Sequence, residues 1–170
     1  MWFIDLIKGA WAEIETYILP FIIVHTYERG VVLTFGKNPK LLNPGIRPKL
    51  PFFQVVFTTT ITTDTMDIKP VLVTTTDGKT ILVKPIVEFS IDDPIKWLMD
   101  TNEARSNLHD ISGSVVSDYL TDIDWEECKK KTTLTKVKNK LQARADSMGA
   151  KIHSVSFASM CLTRVIITQA

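Results

Sequence analysis

The side chains capable of chemistry are scattered through this sequence without a recognisable arrangement. The histidines are His25, His109 and His153, and their spacing is not that of metal ligands. The cysteines, Cys128 and Cys161, lie far apart and form neither a C-x-x-C motif nor a Cys/His cluster, so neither a structural zinc site nor a disulfide framework is predicted. We therefore assign the histidines to ordinary surface or boundary positions.

Cys128 is the one candidate nucleophile, because the lysines that follow it would lower its pKa. A nucleophilic cysteine also needs a positioned base, and the sequence supplies none, so we predict a helical thiol that faces solvent. The sequence also lacks a phosphate-binding glycine loop, a G-x-S-x-G motif and a paired-carboxylate signature. We predict no catalytic residue, no cofactor and no metal, and expect a binding function rather than an enzyme.

Composition limits the range of partners. The chain has 170 residues, of which 45% are hydrophobic and 23% charged, which fits one globular core with a small appendage. The net charge is +1 and the lysines are dispersed, so the basic surface that holds nucleic-acid phosphates is missing, and nucleic acid is excluded as a partner. The densest basic stretch, from Lys129 to Lys140, is interpreted as a solvated helix face, with anionic lipid or an acidic neighbouring subunit as the alternatives.

The first part of the chain has the apolar periodicity of an amphipathic helix from Trp2 to Ile18. Crossing a bilayer takes about 20 mostly apolar residues, and charged residues such as Asp5 and Glu13 interrupt this run. We predict that the segment lies in the membrane interface; packing on the core of its own domain is the alternative. The residues predicted to contact the membrane are Trp2, Phe3, Leu6, Ile7, Trp11, Ile14, Ile18, Phe21 and Ile22.

A single such segment would bind a membrane weakly. Burial of about six large side chains contributes on the order of 10 kcal/mol, whereas ordering the helix costs about 1 kcal/mol or more per residue. Stable attachment therefore favours several linked copies, which gain avidity without new contacts.

The chain after Pro20 predicts strands first and helices second. Glu28 to Gly30 is interpreted as a turn into a strand from Val31 to Phe35, and the Thr-rich stretch from Thr58 to Thr65 as an exposed sheet surface. Two further strands are predicted from Met66 to Thr74 and from Thr80 to Ile91, joined at Asp77 and Gly78 by a type I′ turn. Pro70 and Pro85 place these strands at edges or bulges.

The second half is predicted to be mainly helical. Asp93 and Pro94 are typical of a helix start, and a short helix is predicted from Ile95 to Asp100. Asp124 and Glu127 have the spacing of a capping box, and Gly149 is placed to end the last helix before a final strand. Two longer helices are indicated by apolar residues at helical spacing: Leu108, Ile111, Val115, Tyr119 and Ile123, then Leu134, Val137, Leu141, Ala145 and Met148. The fold class predicted is α+β, with a mostly antiparallel sheet and helices on one face.

The order and spacing of several turn residues resemble the SPFH or Band 7 family, which contains the stomatins, prohibitins and flotillins. The residues that carry this resemblance are Gly30, Gly36, Pro44, Gly45, Pro51, Asp77, Gly78 and Pro94. The resemblance implies a membrane-associating segment over 1–26, an SPFH-like domain over 27–162 and a short tail over 163–170. The long coiled-coil arm of the family is not seen in this sequence, so any ring would depend on contacts between the globular domains.

The resemblance implies a membrane-associated scaffold that self-assembles and organises a membrane patch or membrane-protein partners. The alternative is a regulatory module that joins a larger SPFH assembly or modulates a membrane protease or channel. Membrane lipid and further copies of the chain are the expected partners. Since no export signal is predicted, we expect a peripheral or monotopic protein on the cytoplasmic face. A soluble enzyme is the third reading.

Overall fold

The computed structural model describes residues 21–163, which divide into two compact units at the boundary between Ile61 and Thr62. The class is mixed α+β with antiparallel strands, as predicted, but the described strands form three separate sheets rather than one. The helix predicted from Trp2 to Ile18 lies outside the described residues, as does most of the tail. The predicted division at residues 26 and 162 stays a prediction.

Between residues 21 and 61, the described part of the first unit, the chain forms five strands in two sheets. They are β1 (Phe21–Val24), β2 (Glu28–Thr34), β3 (Lys37–Leu42), β4 (Gly45–Pro48) and β5 (Gln54–Thr60). β2 is the centre of a three-stranded sheet in the order β3-β2-β5, and β1 pairs with β4. All of these pairings are antiparallel.

Gly30 corrects one prediction. It lies inside β2 rather than in a turn, so the interpretation of Glu28 to Gly30 as a turn is wrong. The chain turns earlier, where the Glu28 amide donates to the His25 carbonyl oxygen at 3.0 Å. A Cβ at Gly30 would stand 3.2 Å from the Cβ of Leu42, so glycine serves close packing at this position.

The second unit is organised around one long strand. Its strands are β6 (Asp64–Asp67), β7 (Val71–Thr74), β8 (Thr80–Ile91) and β9 (Ala150–Leu162). β9 pairs along one side of β8, whereas β6 and β7 occupy the two halves of the other side.

The strand predicted from Met66 to Thr74 is therefore broken, with Pro70 between its two parts. Proline cannot donate to a ladder, which accounts for the break. Pro85 lies in the central strand beside a register shift at Lys84 and Pro85, so it occupies a bulge. β8 itself has the bounds predicted from the sequence.

The hairpin between β7 and β8 differs from the predicted type I′ turn. Among its residues only Gly78 has a positive φ, at 74°, and the Gly78 amide donates to the Thr75 carbonyl oxygen at 2.9 Å. A type I′ turn needs two consecutive residues at positive φ. The loop from Thr75 to Lys79 is instead a wider turn that ends in a left-handed glycine.

Three α-helices are present among the described residues of the second unit: α1 (Ala104–Thr121), α2 (Trp125–Cys128) and α3 (Lys131–Ala145). A π-helical turn covers Lys96–Asp100, at the site of the predicted short helix. Asp93 caps that segment, because its Oδ1 accepts the amides of Ile95 and Lys96 at 3.1 and 3.3 Å. The predicted capping box at Asp124 is wrong, since its side chain makes no cap hydrogen bond.

The core of the second unit lies between the helices and one face of the sheet. Alternate residues of β8 point into it, as the two-residue period of a half-covered strand requires. The helical residues predicted to lie inside are buried or half-buried. Fully buried members include Ile81, Val83, Val87, Leu108, Val116, Leu120, Val137 and Leu141.

Candidate functional site

Two turns of the first unit meet at one end of its three-stranded sheet. Because β2 and β5 pair antiparallel with Thr34 opposite Gln54, the turn after β2 lies beside the loop that precedes β5. The Phe35 amide donates to the Phe53 carbonyl oxygen at 2.8 Å, and the two rings lie 5.2 Å apart. We call the four apolar residues of these turns the aromatic tip: Phe35, Leu50, Phe52 and Phe53.

The aromatic tip is open to solvent. Phe35 is 72% exposed, Phe52 78% and Phe53 51%. Most of the other strongly exposed large apolar residues in the described chain also belong to the first unit: Phe21, Ile23, Tyr27, Leu41, Ile46, Val55 and Phe57. Exposed apolar side chains that lie together, as Phe35 and Phe53 do, indicate a contact site for lipid or for another protein.

The backbone at the aromatic tip is in a conformation that aromatic residues avoid. Phe35 has φ 53° and Gly36 has φ 69°, so together they form a two-residue hairpin turn with both residues in the left-handed region. Such turns favour Asn-Gly or Asp-Gly. Phe52 has φ 69° as well. A bulky residue held at positive φ costs about 1–2 kcal/mol, and strain of this kind concentrates at functional sites.

The segment that contains the aromatic tip is rich in positive charge. Between residues 21 and 61 the chain carries one carboxylate, Glu28, and five cations: Arg29, Lys37, Lys40, Arg47 and Lys49. Lys37 follows the Phe35 turn directly, and Lys49 immediately precedes Leu50. An apolar cluster flanked by cations suits an apolar surface that carries negative charge.

Two of the residues predicted to contact a membrane, Phe21 and Ile22, lie in the described part of the chain, and their predicted role stays a prediction. Phe21 and Ile22 form part of β1, where they pair with Pro48 and Arg47, and Phe21 is about half exposed. The other seven, from Trp2 to Ile18, lie outside the described residues. Their predicted role stays a prediction.

The residues that carry the family resemblance are divided between the two units. Gly36 and Pro51 belong to the turns of the aromatic tip, and Pro44 and Gly45 lead into β4. Gly30 lies within β2, Asp77 and Gly78 form the hairpin loop of the second unit, and Pro94 is buried where its helical part begins. The sequence pattern placed Phe35 at the end of a predicted strand and did not mark Phe52 or Phe53 as site residues. The missed signal was an aromatic residue at a position where a turn favours asparagine.

The histidines are brought into no common site. His25 stacks on Tyr27 with ring centres 5.3 Å apart. His109 accepts the Lys69 amide at Nε2, and His153 Nε2 lies 2.8 Å from the Ser90 hydroxyl. The described part of the chain has no cluster of three or more side chains suited to holding a metal.

Cys128 contradicts its prediction. It is buried rather than facing solvent. Burial raises the pKa of its thiol, and the nearby carboxylate of Asp77 acts in the same direction. The expected lowering by the neighbouring lysines does not occur, so the thiol lacks the thiolate character that a nucleophile needs.

The basic stretch is partly neutralised within its own unit. Lys129 Nζ lies 2.7 Å from a Glu126 oxygen and also above the Trp125 ring, and Lys136 lies 3.6 Å from Glu127. The interpretation of a solvated helix face, with anionic lipid or an acidic neighbouring subunit as the alternatives, stays a prediction.

The hairpin loop of the second unit is fastened to the loop before α2. Asp77 accepts hydrogen bonds from Thr75 Oγ1 and from the Trp125 amide and pairs with Lys79 at 2.9 Å. Thr76 Oγ1 donates to Asp124. The hydrogen bonds from Lys79 and Thr75 lower the pKa of Asp77 to about 2.

Comparison with known families identifies the chain. A family model described as the SPFH domain, or Band 7 family, matches residues 22–167. The chain belongs to this family. The family includes membrane scaffold proteins, and its members are often associated with membranes.

The chain is also similar to three curated proteins. It is 26% identical over 142 residues to an uncharacterized protein of Methanocaldococcus jannaschii, covering 79% of this chain and 68% of the relative. It is 22% identical over 138 residues to an uncharacterized protein of Methanothermobacter thermautotrophicus, covering 76% and 42%. It is 26% identical over 124 residues to protein HflK of Treponema pallidum, covering 61% and 38%. The chain thus spans less than half the length of the last two relatives.

Among residues 21–163, none of the helices has the length and apolar character needed to cross a bilayer.

Proposed function

We propose that this SPFH protein is a membrane-associated scaffold. It docks on an anionic membrane surface through the aromatic tip together with its N-terminal segment, and it self-assembles through its SPFH domain to organise a membrane patch or membrane-protein partners. The observation that carries the proposal is the exposed, strained and cation-flanked aromatic tip.

The size of the aromatic tip allows an estimate of its affinity for lipid. Taking about 200 Å² for a fully exposed phenylalanine side chain, its three phenylalanines expose about 400 Å². At about 25 cal/mol per Å², complete transfer out of water would contribute on the order of 10 kcal/mol. Insertion at the headgroup boundary realises part of this value, and each nearby lysine or arginine adds about 1 kcal/mol on an anionic leaflet.

The same estimate supports the proposal of self-assembly. Immobilising a protein at a surface costs several kcal/mol, so one tip gives reversible attachment. When several copies are held together, the first copy that binds the membrane brings the others close to it. Their membrane contacts are then effectively intramolecular, and the assembly binds more tightly than one copy. A scaffold that stays at a membrane therefore benefits from association between its domains.

The test of docking is flotation of the full chain with phosphatidylcholine and phosphatidylglycerol vesicles. The double variant Phe35→Asn, Phe52→Asn removes the two most exposed rings of the aromatic tip and leaves Phe53 in place, while asparagine tolerates the left-handed backbone. We expect at least a tenfold lower vesicle partition, which needs only about 1.4 kcal/mol, and a free energy of unfolding that is unchanged or higher. The matched control is Leu72→Thr, Leu162→Thr, which removes exposed apolar surface from the second unit.

Several outcomes would overturn the docking proposal. Flotation of the Asn double variant at the wild-type level would show that the aromatic tip does not contact lipid. An equal loss of vesicle partition in the Leu72, Leu162 control would show that any exposed apolar surface promotes binding. Flotation that does not weaken with added salt or with uncharged vesicles would remove the role of the cations.

Assembly is tested separately by light scattering of the purified chain in detergent. A discrete high-order oligomer supports the scaffold, and a monomer or dimer at all concentrations contradicts it. Deleting residues 1–20 from the same protein tests the predicted N-terminal anchor, and unchanged flotation would exclude it.

A further inference from the structure

The second unit contains a cleft that the proposed function does not use. Its volume is about 940 Å³, and it lies between β6 and the segment from Trp97 to His109. Its apolar lining comes from Met66, Trp97, Leu98, Met99 and Ala104. Clefts of about 300–1,000 Å³ with an apolar lining and a few polar groups are typical of binding sites.

The strand along this cleft has a free outer edge. The Ile68 amide donates to the Pro85 carbonyl oxygen of β8 at 3.0 Å, so the backbone groups of Ile68 point toward β8. By the alternation of an antiparallel ladder, Thr65 and Asp67 point theirs away from β8, into the open. The Thr65 amide is taken by the Asp64 carboxylate at 2.8 Å. The Asp67 amide and the carbonyl oxygens of Thr65 and Asp67 have no hydrogen-bond partner among the described residues.

The free edge is short and coincides with the cleft. The next amide that points outward, that of Lys69, donates to His109 Nε2 at 3.4 Å. Helix α1 therefore closes the edge on that side, and the unpaired groups are confined to the cleft wall. Unpaired strand edges recruit extended chains by main-chain hydrogen bonding.

The charge at the rim of the cleft is negative. Arg105 is neutralised by Asp64, and Asp67 pairs with Lys84 at 3.0 Å. Glu103, which lines the cleft, makes no ion pair with any described residue. It has φ 50° at the N-terminus of α1, and its side chain does not cap the helix. The exposed carboxylate is thus left for an outside partner, and the left-handed backbone beneath it is a conformation that concentrates at functional sites.

We propose that this cleft binds an extended segment of a partner protein that pairs with the outer edge of β6. The segment places one large apolar side chain on the floor formed by Met66, Trp97 and Met99, and a lysine or arginine beside Glu103. The free backbone groups specify an extended chain, and the uncompensated carboxylate specifies its positive charge. The flexible methionines allow anchors of different shape.

The test measures fluorescence anisotropy of the full chain with short labelled peptides of the pattern Thr-Lys-Val-Xaa-Val-Lys-Thr, where Xaa is Leu, Ile, Met, Phe or Trp. The matched variants are Asp67→Ala, which keeps the edge amide, and Asp67→Pro, which removes it without breaking a bond to β8. Both lose the pairing with Lys84. We expect Asp67→Ala to bind within about twofold of wild type and Asp67→Pro about tenfold more weakly, the value of one lost hydrogen bond with its partner left unpaired.

The charge of the partner is tested in the same assay. Glu103→Lys should weaken the binding of the basic peptides and strengthen the binding of the same peptides with Glu in place of Lys. Thermal melts confirm that each variant is folded. The proposal is overturned by equal binding to the two Asp67 variants, by equal binding of a peptide with Ser at Xaa, by a preference for acidic peptides in the wild type, or by no binding of the panel at millimolar concentration.

Discussion

The turn after the last helix allows a perturbation whose cost can be worked from the structure. Gly149 has φ 76°, and a Cβ at this position would overlap the carbonyl oxygen of Asp93 and stand 3.1 Å from the Cβ atoms of Asp93 and Lys96. The neighbours cannot withdraw freely. The amides of Asp92 and Asp93 donate to the Gly149 carbonyl oxygen at 2.9 and 3.0 Å, and the Trp97 amide donates to Asp93 at 3.1 Å.

Two terms make up the expected cost of Gly149→Ala. A Cβ in the left-handed region costs about 1–2 kcal/mol. Relieving the overlap moves Asp93 away and weakens two backbone hydrogen bonds, at about 1 kcal/mol each. We expect a loss of about 3–4 kcal/mol in the free energy of unfolding, which at about 2–4 °C per kcal/mol lowers the melting temperature by roughly 6–16 °C.

The control is Gly78→Ala, at a glycine with almost the same φ of 74° but with no atom within 4 Å of the added Cβ. It carries the strain term alone, about 1–2 kcal/mol. Urea unfolding followed by the helical circular dichroism signal measures both variants, since the described helices belong to the second unit. Equal losses in the two variants would refute the steric reasoning, because the difference of about 2 kcal/mol is assigned to the contact with Asp93.

Three further predictions concern single groups of the second unit. The lowered pKa of Asp77 means that its ionised form stabilises the fold. We expect this contribution to be complete above about pH 4 and to be lost as the pH falls through about 2. In urea unfolding, the stability of Asp77→Asn should therefore depend less on pH than that of the wild type between these two values. Cys161 should react rapidly with a thiol reagent in the native protein and Cys128 only after unfolding, as thiol titration with and without denaturant will show; two fast thiols would contradict the burial. Leu141→Ala should lower the free energy of unfolding by about 2–5 kcal/mol, because this side chain is fully buried, and a loss below that range in urea unfolding would contradict its core position.

The elements that the sequence predicted well are those set by local patterns. Thr80 to Ile91 alternates apolar and polar residues across a central strand, and Gly149 stands where a helix has to end, so both were placed from neighbouring residues alone. Predictions were wrong where a contact between distant residues overrode the local preference of a side chain. Gly30 serves close packing with Leu42 rather than a turn, and the side chain of Asp124 bonds Thr76 across the unit instead of capping its own helix.

The candidate sites depended on contacts between distant parts of the chain. Composition and motif order were sufficient to indicate the family, an α+β class and the absence of a recognisable catalytic motif. The aromatic tip exists only because antiparallel pairing of β2 with β5 brings Phe35 against Phe53. The cleft of the second unit exists only because β6, paired with β8, lies beside the segment from Trp97 to His109. Cys128 likewise became buried through packing that no local pattern encodes. Sequence periodicity fixes which side of an element is apolar, but which other element covers that side, and which apolar side stays open, is decided by long-range pairing.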